Sequence, residues 1–249
     1  MPKAASRTRR RRRSRGRARA RPLWRGLGAL ALLVMTATLV PIAVLRVVPP
    51  PTSAFMIASH RRDPATGRPC ARIDYQWQPW KKIHRSLPRA VVVAEDQRFL
   101  DHSGFDTRAI GEALDEYVSG GGMRGASTIT QQVAKNLFLW PGRSLLRKGL
   151  EAWLTVFIEL LWPKQRILEV YVNVAQFGPC LFGAEAAARQ LFDVHASELS
   201  VRQAALLAAV LPAPGRMRPD DPGPFTQQRA REIADELHRV AGGSYLRGI

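Results

Sequence analysis

Twenty consecutive residues without a charge, Gly26 to Leu45 (GLGALALLVMTATLVPIAVL), constrain this 249-residue chain more than any other feature. At about 1.5 Å per residue a helix of that length spans roughly 30 Å, the thickness of one bilayer core. Arg25 and Arg46 bracket the run, and Pro41 sits near its end, where neighbouring groups can satisfy the freed carbonyls. A cleaved signal peptide usually carries an apolar region of only about 7–15 residues. The exit sequence Val-Val-Pro-Pro-Pro-Thr-Ser-Ala is also a poor small-residue cleavage pattern. The expectation is an uncleaved transmembrane helix over 26–45.

Charge gives the span a direction. The chain holds 38 Lys plus Arg against 20 Asp plus Glu, a formal charge of +18, and twelve of those bases lie in residues 1–25 with no acid among them. By the positive-inside rule the tail 1–25 is cytoplasmic and the body lies across the membrane. An Arg-rich arm could also bind phosphates of nucleic acid. The adjoining span makes topology, or contact with anionic lipid, the simpler cause, so no nucleic-acid partner is expected. The body keeps 26 bases against 20 acids, and 46% of the whole chain is apolar. Full disorder and a collagen-like fibre are excluded. Cys70 and Cys180 form no CxxC pair, which excludes a Cys-rich metal site and leaves pairing or reduction open.

Residues 46–74 read as a linker stiffened by Pro49 to Pro51. Beyond Tyr75 the apolar spacing predicts helices over Leu87–Phe99, Thr107–Val118, Ser127–Leu139, Ser144–Leu161, Lys164–Val174, Phe182–Phe192, Ser200–Leu211 and Phe225–Val240. No strand alternation persists, so the expected fold is all-α with one core over 75–249. Ala152 to Trp162 is apolar almost all round and reads as a central buried helix. Gly120, Gly121 and Gly122 mark a break suited to a mobile loop.

No P-loop, dinucleotide glycine signature, HExxH or nucleophile elbow occurs. Four polar clusters remain. Glu95 follows the apolar stretch Ala90 to Ala94, so its carboxyl can be half-buried and raised toward the range of a general base. Ser127 or Thr128 can cap the next helix, whose first-turn amides, with Lys135, suit an anionic oxygen. Arg147 and Glu151 stand four apart on one helix face; they make either a surface ion pair or, with Arg143 and Lys148, a cationic grip on a pyrophosphate. Ile167, Leu168 and Tyr171 share a packing stripe, with Asn173 at the helix end.

Taken in order, these clusters closely resemble glycosyltransferase family 51, the glycosyltransferase domain of bacterial peptidoglycan synthases. Glu95-Asp96-x-x-Phe99-x-x-His102-x-Gly104-x-Asp106 is similar to its first motif and Gly125-x-Ser127-Thr128-Ile129-x-Gln131-Gln132 to its second. Arg147-Lys148-x-x-Glu151 is similar to its third, and Lys164-x-x-Ile167-Leu168-Glu169-x-Tyr171-x-Asn173 to its fourth. The resemblance covers Tyr75 to Pro212, and Tyr75-Gln76-Trp77 resembles the monofunctional Gram-negative branch. The chain contains no SxxK and no KTG, so no transpeptidase is expected.

The resemblance implies a lysozyme-like helical domain with a small, mobile, membrane-proximal lobe, periplasmic and anchored to the inner membrane. The implied reaction joins lipid II to a lipid-linked glycan, inverting the anomeric carbon and releasing undecaprenyl pyrophosphate. Glu95 would be the general base and Glu151 would help position the pyrophosphate. Lys135, Arg143, Arg147 and Lys148 would neutralise it, and Ser127, Gln131, Gln132 and Asn136 would orient sugars and phosphate. No cofactor is obligatory on this reading, with Mg2+ or another divalent cation an option and no dedicated metal cage. Membrane lipids and other cell-wall synthesis and division proteins are the implied surroundings. A lysozyme-type lytic enzyme, which also uses a Glu on helices, is the alternative. Gln176 departs from the pattern, since many relatives carry an acid there.

Overall fold

The computed structural model describes residues 14–120 and 127–240. Residues 1–13 of the basic tail, and Gly121, Gly122 and Gly125 of the expected glycine break and second motif, lie outside the described residues. The chain divides into two units, 1–44 and 45–249. In the first, helix α1 (Ser14–Leu45) carries the apolar run, and Trp24–Leu45 is long and apolar enough to cross a membrane. Leu27, Leu30, Leu33, Val40 and Val44 lie exposed along it, as lipid contact requires.

The second unit is mostly helical, as the spacing predicts. Its helices are α2 (Ala54–Ser59), α3 (Ser86–Glu95), α4 (Thr107–Val118), α5 (Ile129–Phe138), α6 (Leu145–Leu161), α7 (Lys164–Val174), α8 (Ala184–Phe192), α9 (Val201–Val210) and α10 (Pro224–Val240). A small sheet, absent from the all-helical expectation, joins β1 (Asp74–Tyr75), β2 (Gln176–Gly178) and β3 (Leu181–Phe182) in the order β1-β3-β2. β1 runs parallel to β3, and β2 is antiparallel to it. Two- and three-residue strands carry no readable alternation, so periodicity could not announce them.

Residues 54–74, expected as linker, fold onto the body. Ser53 caps α2, which packs on α5, and Cys70 forms a disulfide with Cys180 across 110 residues of sequence. Buried Asp63 accepts bonds from the Ala65 amide, the Thr66 hydroxyl, the Cys180 amide and the Gln176 amide group. An acid at position 176 would face this carboxylate; an amide can donate to it.

The core lies where α9 meets α3 and α10, and where α5 meets α6 and α7. Seven consecutive residues of α9, Ala204 to Val210, are buried, as are Ile167, Leu168 and Tyr171 of α7. The expected central helix is therefore α9, not α6. Although α6 is apolar nearly all round, it buries only one side, and Leu145, Leu146, Trp153, Val156 and Leu160 remain exposed. Helix α3 also stops at Glu95, four residues short of the expected end, and Asp96 leaves the helical conformation with φ −160°.

Candidate active site

The first two sequence clusters are locked together by one carboxylate. Asp96, buried just past the end of α3, accepts the amide of Ile129 at 3.0 Å and a bond from His102 Nε2 at 2.9 Å. Ile129 opens α5, so Asp96 satisfies one of the donors that a helix N-terminus leaves orphaned. The Gly104 amide donates to His102 Nδ1 at 3.2 Å, which assigns the ring proton to Nε2. Thr128 caps α5 in a reciprocal box with Gln131 and donates its hydroxyl to the Gly104 carbonyl at 2.7 Å. Gly104 sits at φ +86°, and a Cβ there would meet Thr155 Cγ2 at 2.6 Å. Only glycine fits.

This junction delivers Glu95 and the outward face of α5 to one place. Glu95 Oε2 accepts from Gln132 Nε2 at 2.9 Å, while the Tyr171 hydroxyl donates to Gln132 Oε1 at 3.1 Å. Burial pushes the Glu95 carboxyl above its ordinary value, with the Gln132 bond and the charges of Arg229 and Lys135 opposing. That is the environment a general base needs, desolvated but reachable.

Two cavities flank the pair. One of about 260 Å³ is lined by Glu95, Arg98, Glu112 and Ser127. The other, about 450 Å³, is lined by Phe55, Gln132, Lys135, Asn136 and Arg216. Loop residues Pro64 and Ala65 wall the larger one, and Gly215 presses so closely on Ala65 that a side chain there would collide with its carbonyl. Asn136 Oδ1 is buried and meets no partner among the described residues.

The third cluster is a buried charge group, where a surface ion pair was the alternative. Glu151 is 2% exposed; its Oε2 accepts from Arg147 at 2.8 Å and its Oε1 from Lys148 at 2.5 Å. Lys148 also donates to Ser127 at 3.1 Å, joining the second cluster to the third. Lys135 feels Glu95 and Glu151 together. Burial, helped by Arg147 and Lys148, pulls its ammonium below the ordinary lysine range, and the two carboxylates oppose this.

Of the ten expected site residues, Glu95, Gln132, Lys135, Asn136, Ser127, Arg147, Lys148 and Glu151 line the cavities or join these clusters. Two do not. Gln131 is buried and its side chain is spent on the Thr128 amide, so it serves as a cap and does not face a cavity. Arg143 is exposed ahead of α6 and pairs with no described residue. The fourth cluster mainly holds the chain entering the domain: Asn173 bonds both backbone groups of Gln78, Glu169 accepts the Trp80 amide, and Arg166 lies over the Trp77 ring. Its Tyr171 alone reaches the site.

Sequence reasoning missed Tyr171 as a partner of Gln132, and missed Arg229, whose Nη2 stands 3.8 Å from Glu95 Oε1. Arg229 looks like an ordinary member of an amphipathic helix with no local signal, while Tyr171 stands in the fourth motif but reads there as packing. Among the described residues Asp96, His102 and Asp106 also gather closely enough to hold a metal ion. Asp96 and Asp106 are already engaged by the amides that open α5 and α4, and His102 by Asp96.

Known proteins share this pattern. Residues 66–238 match the transglycosylase family. The chain is 50% identical over 224 residues to a biosynthetic peptidoglycan transglycosylase of Xanthomonas euvesicatoria, covering 90% of each. It is 50% identical over 226 residues to one of Pseudomonas aeruginosa, covering 90% of this chain and 96% of that one. It is 47% identical over 223 residues to one of Stutzerimonas stutzeri, covering 90% and 92%.

Proposed function

This chain belongs to the transglycosylase family and is a monofunctional biosynthetic peptidoglycan glycosyltransferase, and from that premise we propose that it polymerises lipid II with Glu95 as the general base. The observation that carries the reading is the placing of a desolvated carboxylate, held by Gln132, beside a cationic group made of Lys135, Arg147 and Lys148.

The reaction then follows from charge. Glu95 takes the proton of the acceptor sugar's 4-hydroxyl as that oxygen attacks the anomeric carbon of the donor. The new bond forms on the face opposite the departing diphosphate, so the anomeric configuration inverts. The bond to the phosphate oxygen breaks with its electron pair, and undecaprenyl pyrophosphate leaves. Diphosphate is already a good leaving group, so the site needs orientation and positive charge more than acid catalysis. Lys135 and Lys148 supply that charge, with Arg143 brought up from its exposed position when substrate binds. Glu151 pins Arg147 and Lys148 in place. Asn136 Oδ1 accepts from a sugar hydroxyl or amide.

Both oxygens of Glu151 are engaged by cations, so Lys and Arg do the work a divalent ion would do and Mg2+ is dispensable. Synthesis that survives chelation supports this; strict dependence on added Mg2+ refutes it.

The apolar helix Trp24–Leu45 anchors the protein once in the inner membrane. The twelve bases of residues 1–25 keep that end cytoplasmic and the catalytic domain periplasmic. The exposed apolar stripe of α6 suits contact with lipid around the substrate's tail.

Purified protein in detergent should convert lipid II into long glycan, and Glu95→Gln should abolish this while the protein stays folded. Full activity of that variant refutes the base assignment. Release of soluble muropeptides from isolated sacculi would favour a lytic enzyme instead.

A further inference from the structure

Arg229 of α10 lies outside all four sequence clusters, yet it reaches the end of the helix that carries Glu95. Its Nη2 donates to the Ala94 carbonyl at 3.3 Å and stands 3.8 Å from Glu95 Oε1. Nε of the same guanidinium is buried and meets no partner among the described residues. The group is thus partly desolvated to serve one carbonyl and one carboxylate. α10 packs along both α3 and α9, so the guanidinium is carried by a fixed helix and not by a loop.

We infer that Arg229 is a positioning residue for the reaction: its bond to Ala94 fixes where α3 ends, and its charge keeps the Glu95 carboxylate ionised at the edge of its cavity. The inference rests on the reading of Glu95 as the base.

The groups that face Glu95 can be named from every side. On α5, Gln132 donates to it and Lys135 contributes positive charge; on α7, the Tyr171 hydroxyl is neutral; beside it in the chain, Asp96 opposes ionisation. Arg229, from α10, is the stronger of the two cations. A cation near the last carbonyls of a helix is favourable on its own account, so capping is the competing explanation. Charge and capping separate experimentally. Arg229→Gln removes the charge and ends short of Nη2, so loss of the Ala94 bond lowers the rate evenly across pH, whereas loss of the charge moves the acidic limb.

The test measures kcat/KM for lipid II polymerisation against pH with the full-length protein in detergent, for wild type, Arg229→Gln and Arg229→Lys, with thermal melting alongside. Removing the charge makes Glu95 harder to ionise. The acidic limb of the glutamine variant should therefore move to higher pH, lowering the rate on that limb up to roughly tenfold while the alkaline plateau stays within about twofold. Lysine should hold the limb close to wild type.

A glutamine variant that loses rate evenly at all pH, or a lysine variant whose limb moves as far as glutamine's, overturns the inference. So does unfolding of the glutamine variant, which would assign Arg229 to holding α10 on α3. Inactive Glu95→Gln with an unmoved Arg229→Gln limb defeats this inference alone, whereas active Glu95→Gln defeats the base assignment beneath it.

Discussion

Gln132 donates its side-chain amide to Glu95 at 2.9 Å in the one orientation its other bond allows. The Tyr171 hydroxyl donates to Gln132 Oε1, and a flipped amide would turn its oxygen on the Glu95 carboxylate. A core tyrosine thereby orients a surface-facing amide, and that amide holds the carboxylate between two cavities.

Tyr171→Phe should slow the enzyme without unfolding it. The lost hydroxyl is one neutral hydrogen bond, about 1 kcal/mol, so kcat should fall about fivefold with KM little changed. Initial rates of glycan synthesis decide this; wild-type rates would show that Gln132 needs no such support.

Glu95→Gln should raise thermal stability near neutral pH while abolishing synthesis. Burial raises the folded-state pKa of Glu95, so the folded protein favours the protonated form. Stability from this group is then fully present below the unfolded pKa and is lost as pH rises through the folded one. Glutamine mimics the neutral form and escapes that loss. Calorimetry should show a higher Tm for the variant at neutral pH and a shrinking difference in acid; an unchanged Tm would place Glu95 in a more solvated setting.

Arg147→Ala and Lys148→Ala should separate stability from activity. Arg147 is buried with Glu151, and its loss takes from that buried carboxylate one of its two cationic partners, at a cost of about 3 kcal/mol. Lys148 is nearly half exposed, so its loss should cost under about 1 kcal/mol of stability but at least tenfold in rate through the diphosphate. Urea denaturation paired with rate measurements tests the contrast, and equal stability losses would contradict it.

Replacing Cys70 and Cys180 by serine should destabilise the catalytic unit by about 2–4 kcal/mol, because the bridge closes a long loop. Pro64 and Ala65, in the loop the bridge ties down, wall the larger cavity that Lys135 also lines, so KM should rise more than kcat falls. A variant with wild-type melting and KM would show that Asp63 and its four bonds suffice to hold the wall.

Much of this site was legible before the fold was known. Glu95 after an apolar stretch, Thr128 as a possible cap, and the four-residue spacing of Arg147 and Glu151 are local patterns that a helix turns directly into geometry. The misreadings share one cause. Gln131 and Gln132 are adjacent and chemically identical, yet one closes a capping box and the other faces the cavities, because helical pitch separates neighbours by about 100°. Ala152 to Trp162 reads as buried from composition, but whether an apolar face is covered depends on what packs against it.

By itself the sequence determined the features set by short-range interactions: an apolar helix long enough to cross a membrane, the positions of the eight helices beyond Tyr75 to within a few residues, and the kinds of side chain available for the chemistry. Tertiary structure decided which of them meet. Arg229 reaches Ala94 across 135 residues, Cys70 finds Cys180 across 110, and Gln176 finds Asp63 across 113. No local preference encodes such pairings. They form because α10 must bury its apolar face on α3 and α9, and because the chain after the apolar helix must satisfy its backbone against α7 and the small sheet.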